Sequence, residues 1–166
     1  MKKIIFALTF SILSTTTMAN VSYLGFGISQ YSGWGNSVDG YTISYTAVME
    51  KLALSTAGEF LNDGGNNSTN FGVRFALSSS FSDGSPYIGA THTNIVNGGS
   101  DTNFVIGYGR ANGVDLDYDI AIMETDGNSV IAGSIRIPLD GDMGLNIGLA
   151  NDGDITRTNF GVSMNF

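Results

Sequence analysis

The sequence has 166 residues, about the length of one domain, with 23 glycines, 2 prolines, no cysteine, one histidine and a formal charge of −8. The lack of cysteine excludes disulfide frameworks and thiolate metal sites, and the acidic balance argues against a nucleic-acid-binding face. Because only 13% of the residues are charged while Gly, Asn and Asp recur throughout, the composition favours a β-rich protein over a soluble helical one.

Residues 1–19 have the layout of a secretory signal peptide. Lys2 and Lys3 precede an apolar run from Ile4 to Leu13, and a Ser/Thr stretch then ends in Met18 and Ala19. The apolar run is too short for a membrane-spanning helix, which needs about 20 such residues. We therefore predict export and cleavage after Ala19, leaving one domain over residues 20–166.

After residue 20 the apolar residues alternate with small or polar ones, which is the period of a β-strand. Turn sequences such as Asn112-Gly113 and Asp140-Gly141 separate the alternating segments and are typical of hairpins between antiparallel neighbours. The pattern predicts ten segments: 21–31, 40–49, 51–61, 70–79, 86–96, 102–111, 114–124, 128–138, 143–150 and 155–166. Segment 86–96 has no clear apolar face, so eight strands are the alternative to ten.

The two faces of these segments favour a membrane barrel over a soluble sandwich. Leu145, Ile147 and Leu149, for example, share one face, while the other carries glycine, Asn146 and alanine. Strands cross lipid only as closed barrels, and about 9 to 11 residues suffice for a tilted crossing. We therefore predict an all-β fold, a closed antiparallel up-and-down transmembrane β-barrel of about ten strands. Aromatic residues near the segment ends fit two interfacial girdles: Tyr31, Trp34, Tyr41, Phe60, Phe71, Phe81, Tyr87, Tyr108 and Phe166.

The last segment places Phe160, Val162 and Met164 on one face and ends on Phe166. Together with the leader and the Gly-rich alternating strands, this ending resembles the Gram-negative outer-membrane β-barrel proteins, and the size resembles a small porin-like member. The resemblance implies that these four residues are the signal read by the barrel assembly machinery. It also implies residence among outer-membrane lipids and a lumen narrower than that of the longer general porins.

Seven charged residues are predicted to line the lumen: Glu59, Arg74, Asp115, Asp117, Asp119, Arg136 and Arg157. Two interpretations follow from this mixture of signs. The residues can pair with one another and fill the lumen, since an unpaired buried charge is costly. Alternatively, Asp115, Asp117 and Asp119 form an acidic ladder along a narrow wet path that favours cations.

Catalytic and metal-binding signals are weak. The enzymes among outer-membrane barrels include deacylases with a serine two residues after a histidine, whereas His92 is followed by Thr93 and Asn94. We expect no enzymatic activity, no cofactor and no bound metal. Two functions remain open: a porin-like barrel that passes ions or small solutes, and a plugged structural or adhesive barrel that acts through loops 32–40, 62–69 and 97–101.

Overall fold

A computed structural model describes residues 20–33, 36–62, 67–125 and 128–166. The predicted leader, Trp34 and part of the predicted loop 62–69 lie outside these ranges. Among the described residues, no helix is long and apolar enough to cross a bilayer.

The described chain forms ten β-strands, so the prediction of ten rather than eight is confirmed. They are β1 (Val21–Gly33), β2 (Asn36–Met49), β3 (Leu52–Leu61), β4 (Ser68–Ala76), β5 (Ser85–Ile95), β6 (Ser100–Arg110), β7 (Asp117–Thr125), β8 (Asn128–Pro138), β9 (Met143–Asn151) and β10 (Thr156–Asn165). The ambiguous segment 86–96 is β5. It lacks a clean apolar face because the polar side chains of His92 and Asn94 share the outward side with Ile88.

Three strand boundaries differ from the predicted ones by three or more residues, each for a local reason. β2 begins at Asn36 rather than 40, because Gly40 is not a turn residue but a position where β3 approaches closely. β4 ends at Ala76 rather than 79, where serine hydroxyls begin to bond to their own loop. β7 begins at Asp117 rather than 114, because the Asn112 side chain accepts hydrogen bonds from the backbone N–H groups of Val114 and Asp115.

Every strand pairs antiparallel with its neighbours in sequence, and β1 pairs with β10 to close the barrel. The closing register runs from Tyr23 opposite Asn165 to Ser32 opposite Thr156. Closure leaves no strand edge, so all backbone groups in the wall can be satisfied within the sheet. The end of the barrel at which β1 begins and β10 ends is called the terminal end, and it also carries the β2–β3, β4–β5, β6–β7 and β8–β9 connections. The opposite end carries the β1–β2, β3–β4, β5–β6, β7–β8 and β9–β10 connections.

The outer surface of the wall is apolar. Large side chains that alternate along the strands are at least one-third exposed, among them Phe26, Ile28, Phe71, Phe75, Ile88, Phe104, Ile106, Ile120, Ile122, Ile131, Ile147, Leu149, Phe160 and Val162. The residues between them point inwards and are mainly Gly, Ala, Ser, Thr and Asn with a few charges. This is the reverse of a soluble protein, in which the large apolar side chains are buried.

Glycine is required where β1 and β10 meet. Gly161 lies opposite Gly27 in the closing register, and a Cβ at Gly161 would lie 2.7 Å from the Gly27 Cα. No side-chain rotation relieves a clash with backbone, so a larger residue there forces the two strands apart. Gly148 on β9 also faces the lumen, but a Cβ there meets nothing closer than 3.6 Å.

We expect Gly161→Ala to lower the free energy of unfolding by about 1–3 kcal/mol through overpacking at the seam. Gly148→Ala is the matched control and should change it by less than about 1 kcal/mol, since the added methyl group has room. Urea unfolding of the refolded barrel in detergent measures both variants. If the two variants were equally stable, the close backbone contact between β1 and β10 at Gly161 would be contradicted.

Candidate functional site

Three arginines point into the lumen, and each faces a carboxylate and a tyrosine. In every case the guanidinium pairs with the carboxylate and lies over the tyrosine ring, while the tyrosine hydroxyl donates a hydrogen bond to the same carboxylate. We call these groups the lumen triads. They are Arg136–Asp117–Tyr23, Arg74–Asp119–Tyr87 and Arg157–Glu59–Tyr31.

The Arg136 triad is the most enclosed. The Arg136 guanidinium lies 3.6 Å from the Asp117 carboxylate, and both side chains are only 7% exposed. The Tyr23 hydroxyl donates to Asp117 at 2.7 Å, and the Arg136 guanidinium lies 4.9 Å from the centre of the Tyr23 ring. Arg136 also donates to Ser163 at 3.0 Å and to Asn165 at 2.6 Å, so the buried cation is well satisfied.

The loop between β6 and β7 completes this triad. The backbone N–H of Asn112 donates to the Asp117 carboxylate at 2.7 Å, and that of Gly113 does so at 3.4 Å. The Gly113 carbonyl accepts from Asn165 at 3.2 Å and from Arg136 at 3.4 Å. The loop is therefore held over the lumen at the terminal end, and Gly113 has the positive φ of 78° that this turn requires.

The Arg74 triad is wetter. Arg74 pairs with Asp119 across the lumen from β4 to β7, and their side chains are 30% and 20% exposed. The Tyr87 hydroxyl donates to Asp119 at 2.5 Å, and the Arg74 guanidinium lies 5.2 Å from the centre of the Tyr87 ring. This ion pair contacts water while it is held at a fixed position.

The Arg157 triad lies at the other end of the barrel. Arg157 donates to Glu59 at 3.0 Å, and the Tyr31 hydroxyl donates to the same carboxylate. Its three residues each lie within three positions of the strand terminus at the end of the barrel opposite the terminal end. The residues of the other two triads each lie within three positions of the strand terminus at the terminal end. The triads therefore bracket the lumen.

A cavity of about 270 Å³ lies within the barrel next to the two terminal-end triads. Its polar lining includes Thr42, Ser44, Ser134, Asn146 and Asn159, together with glycines that leave the space open. Ser134 points inwards and is nevertheless exposed, which means that water reaches it. The volume is ample for a group of water molecules, and the polar lining can hold them.

The structure places six of the seven predicted lumen residues on the inward face and joins them in pairs: Glu59, Arg74, Asp117, Asp119, Arg136 and Arg157. Asp115 is different. It precedes β7 and lies in the β6–β7 loop, where its exposed carboxylate pairs with Arg110 at 2.5 Å. Asp115 therefore does not extend a ladder with Asp117 and Asp119.

Sequence reasoning missed the tyrosines of the triads. Tyr31 and Tyr87 were expected in the outer girdles together with Phe81, but Tyr31 and Tyr87 point inwards and Phe81 is buried at 4% exposure. The sequence did indicate the inward position of Tyr87, because alternating positions of a strand share a face and Tyr87 alternates with the inward residues Gly89 and Thr91. Of the other girdle candidates, Tyr41, Phe71, Tyr108 and Phe166 are exposed.

The predicted assembly residues lie on the outer face of β10. Phe160, Val162 and Met164 are each at least 40% exposed, and the Phe166 ring stacks on Tyr45 with 6.3 Å between ring centres. The lone histidine is also outside the lumen, since His92 faces outwards on β5 with its Nδ1 2.8 Å from the Thr102 hydroxyl.

No protein-family model matches the chain, and no curated protein matches it. Solved structures do. A KdgM porin in complex with disordered oligogalacturonate aligns over 87% of this chain and 99% of its own, at 10% identity and a TM-score of 0.52. A de novo designed transmembrane β-barrel aligns over 89% of this chain and 97% of its own, at 9% identity and a TM-score of 0.52.

The chain has the fold of a porin-like transmembrane β-barrel. At such low identity the likeness concerns the fold alone. The role of the barrel must therefore be inferred from its own lumen, where all three inward arginines are paired with carboxylates.

We expect Asp117→Asn to lower the free energy of unfolding of this porin-like barrel by about 3–5 kcal/mol, because it leaves the buried Arg136 without a counter-charge. The matched control is Asp115→Asn, which removes an acid only two residues away. Its pair with Arg110 is exposed, so the change should stay within about 1 kcal/mol. Urea unfolding in detergent, followed by the loss of β-sheet circular dichroism, provides the comparison. A loss at Asp115 as large as that at Asp117 would refute the difference in burial.

Proposed function

We propose that the protein is an outer-membrane barrel of a Gram-negative bacterium, exported by the leader 1–19, that passes water and small ions through a narrow lumen. The observation that carries the proposal is the polar cavity of about 270 Å³ inside a closed barrel with an apolar exterior. The role is transport rather than catalysis, and it calls for no cofactor. Its partners are outer-membrane lipids, the barrel assembly machinery acting on Phe160, Val162, Met164 and Phe166, and the small ions or solutes themselves.

The width of the apolar belt supports a thin membrane. On β9 the outward apolar residues run from Met143 to Leu149 before the polar Asn151, and on β6 they lie between Thr102 and Arg110. Six to eight residue steps cover roughly 20–27 Å of strand. With a tilt of about 35–45°, this leaves a belt of roughly 14–22 Å, against about 25 Å for outer-membrane barrels in general. A short belt fits a bilayer that is thin or locally thinned.

The refolded chain is therefore expected to insert more completely into dilauroyl than into dipalmitoyl phosphatidylcholine vesicles, compared in the fluid phase, because the thinner bilayer matches the belt. The folded fraction is read from the shift in gel mobility between unboiled and boiled samples. A chain that remains unfolded in every vesicle tested would exclude a membrane-spanning barrel. Equal insertion into both lipids would contradict the short apolar belt but not the membrane-spanning barrel.

The charge selectivity of the proposed pore is better explained by acids at its entrance than by an acidic ladder inside the lumen. Within the lumen, three arginines offset the carboxylates of the triads. At the opposite end, the described residues include three acids on the inward face or in a connection, namely Asp101, Asp152 and Asp154, whereas Asp39 and Glu124 at the same end point outwards. A rim of one sign raises the local concentration of counter-ions at a narrow entrance. We infer a modest cation preference set by this rim.

The Arg74–Asp119 pair offers a direct test in planar lipid bilayers. Arg74→Gln leaves Asp119 unpaired in a wet lumen and should raise the cation preference, while Asp119→Asn leaves Arg74 unpaired and should lower it. The double variant restores the balance and should return the reversal potential in a salt gradient towards the wild-type value. If the protein is folded and inserted but conducts in none of these forms, the proposed pore is wrong.

The alternative is a structural barrel with a filled lumen. It is favoured by the terminal end, where the buried Arg136 triad and an apolar cluster of inward side chains both lie. An adhesive role is less well supported, because the described connections at the opposite end are short and polar. Persistent electrical silence together with high stability would favour the structural role.

A further inference from the structure

A second connection at the terminal end, besides the β6–β7 loop, folds inwards over the lumen. Residues Leu77–Gly84 link β4 to β5, and we call this segment the strap. The Phe81 N–H donates to the carbonyl of Glu50 in the β2–β3 turn at 2.9 Å. The Phe81 carbonyl accepts from the N–H of Ala111, beyond β6, at 2.8 Å. Phe81 is thus held by backbone bonds to two other connections.

The Phe81 side chain occupies the lumen. It is 4% exposed and lies in a cluster with inward residues of six strands, namely Val21, Val48, Ala53, Tyr87, Val105 and Ala121. Its ring centre is 5.9 Å from that of Tyr87, the tyrosine of the Arg74 triad. An aromatic ring therefore packs against the inward faces of these strands at the terminal end, beside the Arg74 triad.

The remainder of the strap is polar and bonded mainly to itself. The Ser79 hydroxyl donates to the Gly84 carbonyl at 2.6 Å, and the Ser80 hydroxyl donates to the Asp83 carboxylate at 2.9 Å. Gly84 has a φ of 86°, which a residue with a side chain rarely adopts. The strap is thus a small unit with its own internal bonds, and Phe81 is its apolar contact with the lumen.

We propose that Phe81 is the residue that limits conduction, because it closes the terminal end of the lumen. This inference rests on the proposed pore and specifies where the pore is narrowest. Cations drawn to the acidic rim at the opposite end reach the wet cavity and then meet an apolar constriction, which obstructs ions because they cannot keep their hydration there.

The experiment compares single-channel conductance of Phe81→Ala with that of the wild type in planar bilayers. Removing the ring should raise the conductance several-fold. Leu139→Ala is the control, because Leu139 is an exposed apolar residue at the same end that lies outside the lumen. Its conductance should equal that of the wild type. The mobility shift of unboiled samples establishes that each variant is folded.

The possible results separate this inference from the pore itself. If the wild type conducts and Phe81→Ala conducts equally, the strap is not the constriction, while the pore stands. If both are folded, inserted and silent, the pore fails and the inference fails with it. Should Phe81→Ala not fold, Phe81→Leu keeps an apolar contact with Tyr87 while shortening the side chain. It should give a smaller rise in conductance, and no rise would overturn the proposal.

Discussion

Pairing of charge inside the barrel is the constraint on which the interior depends. A ten-stranded wall encloses a lumen little wider than its own side chains, so each inward carboxylate is removed from much of its water. The three triads meet this cost in the same way, with an arginine for charge and a tyrosine hydroxyl for a further hydrogen bond. The tyrosine ring also offers its face to the guanidinium, an attraction that increases as water is excluded.

The triads in turn explain two of the inward glycines. Gly107 lies beneath Tyr87, and a Cβ there would come within 2.5 Å of the tyrosine oxygen. Gly144 lies beneath Arg136, where a Cβ would come equally close to the guanidinium. Small residues on one strand thus make room for large polar groups from another. The interior is filled near the ends by the triads and left open between them, so the cavity is a consequence of where charge had to be paired.

The alternation of large apolar and small residues was sufficient to predict the closed barrel and its ten strands. The parity of each strand also placed Glu59, Arg74, Asp117, Asp119, Arg136 and Arg157 on one face. The partners could not be predicted, because Arg74 and Asp119 are 45 positions apart and meet only across a closed lumen. Tyr31 and Tyr87 were assigned to the girdles from their location near strand ends, although their parity pointed inwards. Phe81 had no parity to follow, since the strap is not a strand.

The ends of the lumen differ in a way that bears on transport. At the opposite end, the Arg157 side chain is 38% exposed beside a rim rich in acids. At the terminal end, Asp117 and Arg136 are 7% exposed and Phe81 lies next to their half of the lumen. In the proposed pore, a solute entering from the acidic rim loses water progressively, first beside paired charges and last against an aromatic ring. In such a path the acids control which ions gather at the entrance, whereas the apolar contact at the far side controls how many pass. Selectivity and conductance are then properties of different residues, separated by the length of the barrel.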